Sequence, residues 1–399
     1  MEIKPSILRG SITAPPSKSI AHRALICAAL SEGETTISNY YTCADTKATA
    51  DALIKMGAEI SVCGSTCVVK GFGGKPKSCS VYCNESGSTL RFLIPLCLNG
   101  EEFVFSGAER LLERPLSVYE DICKNERITF LRREDGIFVK GKLSGGEFNV
   151  KGDISSQFIT GLLFALSLCK EDSVINLIPP VQSKPYIDLT IDTMRAFGVE
   201  GISFEDNKIC IKGNNTYRAA DYTIEGDCSN AAFLEALNVL GSEVDVKGVN
   251  ENTLQGDFVY RKHFESIKKG TPIISLADCP DLGPVLMAAA AANNGAVFTE
   301  TERLKIKESD RGDAMKRELL KFGVNVEIGN NKITVKAGVR KPTEILSSHN
   351  DHRIVMSLAL LCLITGGEIE GYLAVNKSYP QFFGDICSLG AKVKFYEDE

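Results

Sequence analysis

At 399 residues, with 44% apolar and 24% charged residues, the chain reads as globular and too long for one ordinary core, so two domains are expected. A net charge of −6 argues against general binding to nucleic acid or an anionic membrane, so an anionic ligand would need a local basic cluster. Fourteen cysteines without a secretion signal point to a reducing cytoplasm, and no apolar run has the length of a membrane span.

The first strong signal is Pro15-Pro16-Ser17-Lys18-Ser19, followed by an apolar run to Leu30 with Arg23 near its start. The prolines stop regular structure, and the run predicts a helix. The first turn of a helix offers unpaired N–H groups and a partial positive charge, and Lys18, Arg23 and two hydroxyls there make an anion site. The same pattern, a polar turn and then an apolar helix, recurs at Asn84–Leu98, Gly152–Leu168, Gly226–Leu240, Asp278–Ala292 and His349–Leu363. The starts lie about 70 residues apart, with one interval nearer 50, which marks an internal repeat.

A second helix closes each repeat. It ends in Gly at Met56-Gly57-Ala58, Phe197-Gly198-Val199, Phe322-Gly323-Val324 and Leu389-Gly390-Ala391, and short alternating strands follow. Degraded versions are expected around Asp121–Arg127 and Ser266–Thr271. Six repeats, three per domain, predict two similar α/β domains. The pattern restarts at Glu225-Gly226-Asp227, which places a crossover near residue 225.

Basic and hydroxyl residues gather at these junctions: Ser86-Gly87-Ser88-Thr89 before Arg91, Glu113-Arg114-Pro115, Ser155-Ser156-Gln157, Lys305 through Arg311, Asp351-His352-Arg353 and Lys377-Ser378. Each alone has an ordinary reading: Ser155 as an N-cap, Lys305 through Arg311 as a solvated helix start, and Arg353 as the structural partner of Asp351. Together, in an acidic protein, they favour a ligand or ligand pair with several negative charges. Asp281 and Glu308 are the acid–base candidates, with a plain helix-dipole role as the alternative. No metal is expected. Cys63/Cys67 and Cys79/Cys83 read as small buried apolar residues, and His349 and His352 lack a third ligand.

These motifs resemble the 5-enolpyruvylshikimate-3-phosphate (EPSP) synthase family of enolpyruvyl transferases. The resemblance spans the chain. It rests on Pro16-Ser17-Lys18-Ser19 with His22-Arg23-Ala24, Asp153 through Gln157, Ser183-Lys184-Pro185-Tyr186, Lys305 through Arg311 and Asn350-Asp351-His352-Arg353. It implies an inside-out α/β barrel of three βαββαβ-type repeats in each of two domains, residues 1–16 with 226–399, and residues 17–225. The active site would lie in the cleft between them.

The implied reaction joins phosphoenolpyruvate to the 5-hydroxyl of shikimate 3-phosphate and releases phosphate, in a cytoplasmic monomer without cofactor, metal, nucleic-acid or membrane partner. By resemblance, Lys18 touches both substrates. Ser19 and Arg23 hold the shikimate carboxylate side, and Ser155, Ser156 and Ser183 its phosphate. Gln157 and Tyr186 line the ring, Lys307 also binds shikimate 3-phosphate, and Gln157 reaches phosphoenolpyruvate as well. Gly87, Arg114, Arg311, Arg353 and Lys377 take phosphoenolpyruvate. Asp281 accepts the hydroxyl proton and Glu308 protonates the enol carbon.

Three positions depart from the family pattern. Glu85-Ser86-Gly87-Ser88 stands where Asn-Ala-Gly-Thr is usual, Gly312 replaces an apolar residue and is expected to loosen that helix start, and Arg303 stands where some members have Asn. Gly87 is also where some members carry Ala and resist glyphosate, so inhibition by glyphosate is expected here. The sister family acting on UDP-N-acetylglucosamine has a reactive Cys in its Arg-Pro loop, and residues 98–122 contain none. A non-catalytic anion-binding homologue would have lost the acid or base, and both are present. An RNA 3′-phosphate cyclase would want a more basic surface.

Overall fold

A computed structural model describes residues 1–396. They divide into two compact units, residues 1–15 with 226 onward, and residues 16–225, so Pro16 falls in the second unit. Each unit has its own apolar core.

In the unit of residues 16–225 three sheets share one design. A parallel pair separated by a buried helix is extended by an antiparallel hairpin that follows a second helix. Thus Ser80–Tyr82 runs parallel to Asn99–Ser106, which pairs with Gly136–Lys142, which pairs with Thr129–Arg133. Glu147–Lys151, Ser173–Ile178, Lys208–Ile211 and Ile202–Glu205 repeat the order. In the first repeat the outer parallel strand is Tyr222–Thr223, from the far end of the unit, beside Glu34–Ser38. The ends of the unit are therefore stitched together by one sheet.

The helices Lys18–Leu30, Gly87–Leu96 and Ser156–Leu166 are apolar on nearly every face and almost wholly buried, as helices enclosed by other elements must be. The second helix of each repeat buries one face; Ser117–Asn125 buries Val118, Tyr119, Ile122 and Cys123. Gly57 ends the Ala44–Met56 helix at φ 118°, a backbone state that a side chain would strain.

The other unit follows the same plan with Cys228–Val239, Gly283–Ala292 and His352–Thr365 as its buried helices. Ile273–Ser275, Ala296–Thr299, Lys332–Val335 and Val326–Gly329 form one sheet. In the last repeat the hairpin strand comes from the N-terminus: Glu2–Lys4 pairs antiparallel with both Gly367–Glu370 and Lys392–Lys394.

Two expectations about the repeats need correction or refinement. The repeat around Asp121–Arg127 is complete. Its second helix leads into the 129–142 hairpin through Arg127, which takes the left-handed conformation at φ 56° without a glycine to signal it. The repeat around Ser266–Thr271 is cut short. The Tyr260–Lys269 helix runs on to Ile273–Ser275, and its sheet holds only Arg9–Thr13 and Glu243–Lys247. Among the described residues no helix is long and apolar enough to cross a membrane.

Candidate active site

Each unit carries a cluster of charged side chains at the starts of its buried helices. In the unit containing residues 226 onward, the centre is Arg311, first residue of the Arg311–Lys321 helix and 1% exposed. Its NH1 donates to Asp281 Oδ1 at 2.7 Å, its NH2 to Glu308 Oε2 at 2.7 Å, and its Nε to Asp351 Oδ2 at 2.8 Å. Lys307 Nζ reaches the same Asp281 oxygen at 3.0 Å, and Arg353 NH2 lies 3.6 Å from its other oxygen. Asp351 N-caps the His352–Thr365 helix through Arg353 N at 2.9 Å and takes a bond from Ser309 Oγ at 3.0 Å. Lys377 Nζ donates to Asn350 O.

The order of these residues along the chain explains the convergence. Asp281 lies in the 3₁₀ turn that opens Gly283–Ala292, Lys307 and Glu308 precede the Arg311 helix, and Asp351 and Arg353 open the next buried helix. Helix starts of consecutive repeats meet at one end of the unit. Gly312, expected to loosen its helix, sits against Ile333: a Cβ there would lie 3.0 Å from Ile333 Cδ1. The helix start is capped by Asp310, whose side chain accepts from Asp313 N at 3.1 Å.

Electrostatics follow from the geometry. Burial alone would raise the Asp281 carboxyl, but Lys307, Arg353 and Arg311 outweigh it and hold it well below the usual carboxylate range. Burial lowers the Lys307 ammonium, partly opposed by Asp281. Arg353 remains a firm cation because Asp281 offsets its burial. Its Nε and NH1 have no partner among the described residues, nor has either side-chain atom of buried Asn230. Buried polar groups left this way are costly unless a ligand or water fills them, and cationic N–H groups call for an anion.

The second cluster lies on residues 16–225. Ser17 caps the Lys18–Leu30 helix, and Lys18 Nζ pairs with Asp45 Oδ2 at 2.8 Å. Gln157 Oε1 accepts from Arg91 NH1 at 2.7 Å, and Gln157 Nε2 donates to Ser88 Oγ at 3.1 Å. Gly87 leaves room for guanidinium groups: a Cβ there would lie 3.0 Å from Arg114 NH1 and 3.2 Å from Arg91 NH1. Arg114 Nε is buried and unpartnered among the described residues. Ser155 accepts from Gln157 N at 3.3 Å, leaving half-buried Ser155 and buried Ser156 at the helix start. Ser183 is buried at φ 56° just before the Lys184–Ala196 helix, whose first turn carries Tyr186.

Arg23 is spent largely on the protein. Nε donates to Thr190 Oγ1 at 2.8 Å, NH1 to Ser19 O at 2.7 Å and NH2 to Tyr186 O at 3.1 Å, and the guanidinium stacks over Phe92 at 5.2 Å. Burial brings it down to about 10. Behind it His22 Nδ1 lies 2.7 Å from Thr49 Oγ1, and burial, then Lys18 and Arg23, hold this histidine well below its ordinary value.

A family model described as EPSP synthase (3-phosphoshikimate 1-carboxyvinyltransferase) matches residues 3–386. Proteins named 3-phosphoshikimate 1-carboxyvinyltransferase from Clostridium kluyveri and Clostridium perfringens are 39% and 40% identical, each match covering 98% of both chains. The chain belongs to the EPSP synthase family. A solved EPSP synthase from Acinetobacter baumannii shares the fold at TM-score 0.78 and 23% identity, covering 99% of each chain.

Within this EPSP synthase fold, Asp281, Lys307, Glu308, Arg311 and Arg353 stand together, as do Gly87, Arg114 and Gln157. Asp45 and Asn230 were not singled out from the sequence. An acidic residue one helix away from Lys18 leaves no local pattern. Asn230, beside Ser229, is marked in the sequence only by its place at a repeat helix start. Among the described residues no group of three or more His, Cys, Asp or Glu side chains is placed to hold a metal ion.

Proposed function

We propose that the chain transfers the carboxyvinyl group of phosphoenolpyruvate to the 5-hydroxyl of shikimate 3-phosphate and releases inorganic phosphate, in the cytoplasm and as a monomer. The observation that carries this reading is the meeting of two carboxylates, Asp281 and Glu308, on one buried guanidinium in a chain of this family. Lys18, Ser19, Arg23, Ser155, Ser156, Gln157, Ser183, Tyr186, Asp281 and Lys307 bind shikimate 3-phosphate. Lys18, Gly87, Arg114, Gln157, Arg311, Arg353 and Lys377 serve phosphoenolpyruvate. Arg23, with its donors occupied, contributes mainly its field and the placement of Ser19 and Tyr186.

Glu308 delivers a proton to the methylene carbon of phosphoenolpyruvate, leaving an oxocarbenium-like centre at its neighbour. The 5-hydroxyl attacks that carbon and its proton passes to Asp281. The tetrahedral adduct then returns a proton from the new methyl group to the Glu308 carboxylate as the carbon–oxygen bond to phosphate breaks, and Asp281 gives its proton to the departing phosphate, leaving the enol ether, phosphate and both carboxyl groups as they began. A carboxylate held as low as Asp281 is a poor base. Anionic substrates that draw off Lys307 and Arg353 raise its proton affinity when the reaction needs it. Fixed cations around the developing charge supply most of the acceleration.

The deciding experiment measures phosphate release from phosphoenolpyruvate with shikimate 3-phosphate, beside the same assay with UDP-N-acetylglucosamine. Phosphate with the first acceptor alone is expected, and glyphosate is expected to inhibit in competition with phosphoenolpyruvate. No release with shikimate 3-phosphate overturns the reading.

A further inference from the structure

Glu318 is only 1% exposed, and no step of the chemistry above uses it. It lies two turns along the helix that Arg311 begins. Its Oε1 is 2.8 Å from His349 Nε2, and its Oε2 accepts from Ser347 N at 2.9 Å and pairs with Lys321 Nζ at 2.9 Å. Lys321 Nζ also donates to Ile345 O at 2.9 Å. Burial would raise the Glu318 carboxyl, yet His349, Ser347 N–H and Lys321 hold it below its ordinary value.

The segment gripped this way is strained. His349 and Asn350 both stand in the left-handed region, at φ 49° and 52°. Two successive residues with side chains in that region persist only when their surroundings hold them. Asp351 and Arg353 follow at once. The turn is therefore tied to the Arg311 helix at two places: Asp351 to Arg311 at the helix start, and Ser347 with His349 to Glu318 two turns on. One tie leaves a pivot; two set the register of the turn against the helix.

We propose that Glu318 is a positioning residue, holding the 347–350 turn so that Asp351 and Arg353 keep Arg311, and through it Asp281 and Glu308, in working geometry. The proposal rests on the functional reading above. A buried carboxylate is costly to keep, and here its three-way pairing is used to hold a strained turn whose next residues belong to the site.

The test compares Glu318→Ala, which removes the bonds to both Ser347 and His349, with Glu318→Gln, which can still accept from Ser347 N–H and bond His349. Misplacing catalytic groups by a fraction of an ångström should lower kcat/KM for phosphoenolpyruvate about tenfold to a hundredfold in Glu318→Ala. Binding of shikimate 3-phosphate, whose phosphate is read as held by Ser155, Ser156 and Ser183, should stay within about twofold. Glu318→Gln should recover most of the loss.

Amide hydrogen exchange over residues 347–354 should quicken in Glu318→Ala and return towards wild type in Glu318→Gln. Should Glu318→Ala fail to fold, His349→Ala removes one of those two bonds and carries the same expectations in weaker form. Kinetics and exchange equal to wild type overturn the proposal, as does a loss that only follows the unfolded fraction. If wild type releases no phosphate, the functional reading falls, while the exchange result still decides whether Glu318 holds the turn.

Discussion

The Arg311 guanidinium donates through Nε to Asp351 Oδ2 at 2.8 Å, and the two side chains are 1% and 0% exposed. Asp351 is thus the fixed end of the cluster, while Asp281 and Glu308, on the other two nitrogens, are partly open to solvent. A planar fork can orient three carboxylates at once, which a single ammonium cannot do.

Arg311→Lys should therefore lose more than charge. The ammonium can satisfy at most part of the set, so kcat/KM should fall about 10²- to 10³-fold, the scale of removing one preorganised donor. Asp351, left buried without its partner, should cost about 3–5 kcal/mol of stability. Steady-state kinetics and urea unfolding check both halves. Near-wild-type kinetics would show that the fork is dispensable.

Glu308→Gln keeps the shape and the contact with Arg311 NH2 but cannot deliver a proton. Turnover should drop roughly 10²- to 10⁴-fold, the usual worth of a general acid. Titration with shikimate 3-phosphate should show affinity almost unchanged. Activity equal to wild type would remove Glu308 from the mechanism.

Gly87→Ala places a methyl 3.0 Å from Arg114 NH1, 3.2 Å from Arg91 NH1 and 3.5 Å from Gln157 Oε1. The guanidinium tips must shift by a few tenths of an ångström. KM for phosphoenolpyruvate should rise about tenfold, equivalent to about 1.4 kcal/mol, with kcat changed far less. Glyphosate inhibition, measured alongside, should weaken in the same variant. An unchanged KM would mean that Arg114 has slack to move.

His22 makes stability depend on pH. Its folded value lies well below the unfolded one because burial, Lys18 and Arg23 oppose its charge, so the unfolded chain takes up the proton first as pH falls. The contribution is complete above about pH 6.5 and is lost below it, at up to about 1.4 kcal/mol per pH unit, until the folded value is reached. Urea unfolding at pH 7 and pH 5.5 should show this slope in wild type, and His22→Gln should lack its share. Equal slopes would disprove the assignment to His22.

Much of this architecture was legible because it is written locally. Apolar runs behind Ser17, Ser86, Ser155, Asp227 and Asp351 announce capped, buried helices, and the side chains of all five do accept a bond from a backbone N–H in the following turn. Glycines such as Gly57 and Gly323 announce helix ends. Where a helix ends without that signal, as at Arg127, the repeat looked degraded although its hairpin is whole.

The sequence by itself determined the repeats, the helix starts that carry Lys18, Asp281, Glu308, Arg311 and Arg353, and the family. Caps, helical periodicity and short motifs depend on neighbours only a few residues away. Only the tertiary structure decided which charges meet: Lys18 with Asp45, Arg23 with the protein's own oxygens, Arg311 with three carboxylates, and Glu318 with the turn before Asp351. Most of those pairings, such as Lys18 with Asp45, Arg23 with Thr190 and Arg311 with Asp281 and Asp351, join residues far apart in the chain. A charge's partner is set by distance and desolvation, and neither is encoded in the spacing along the chain.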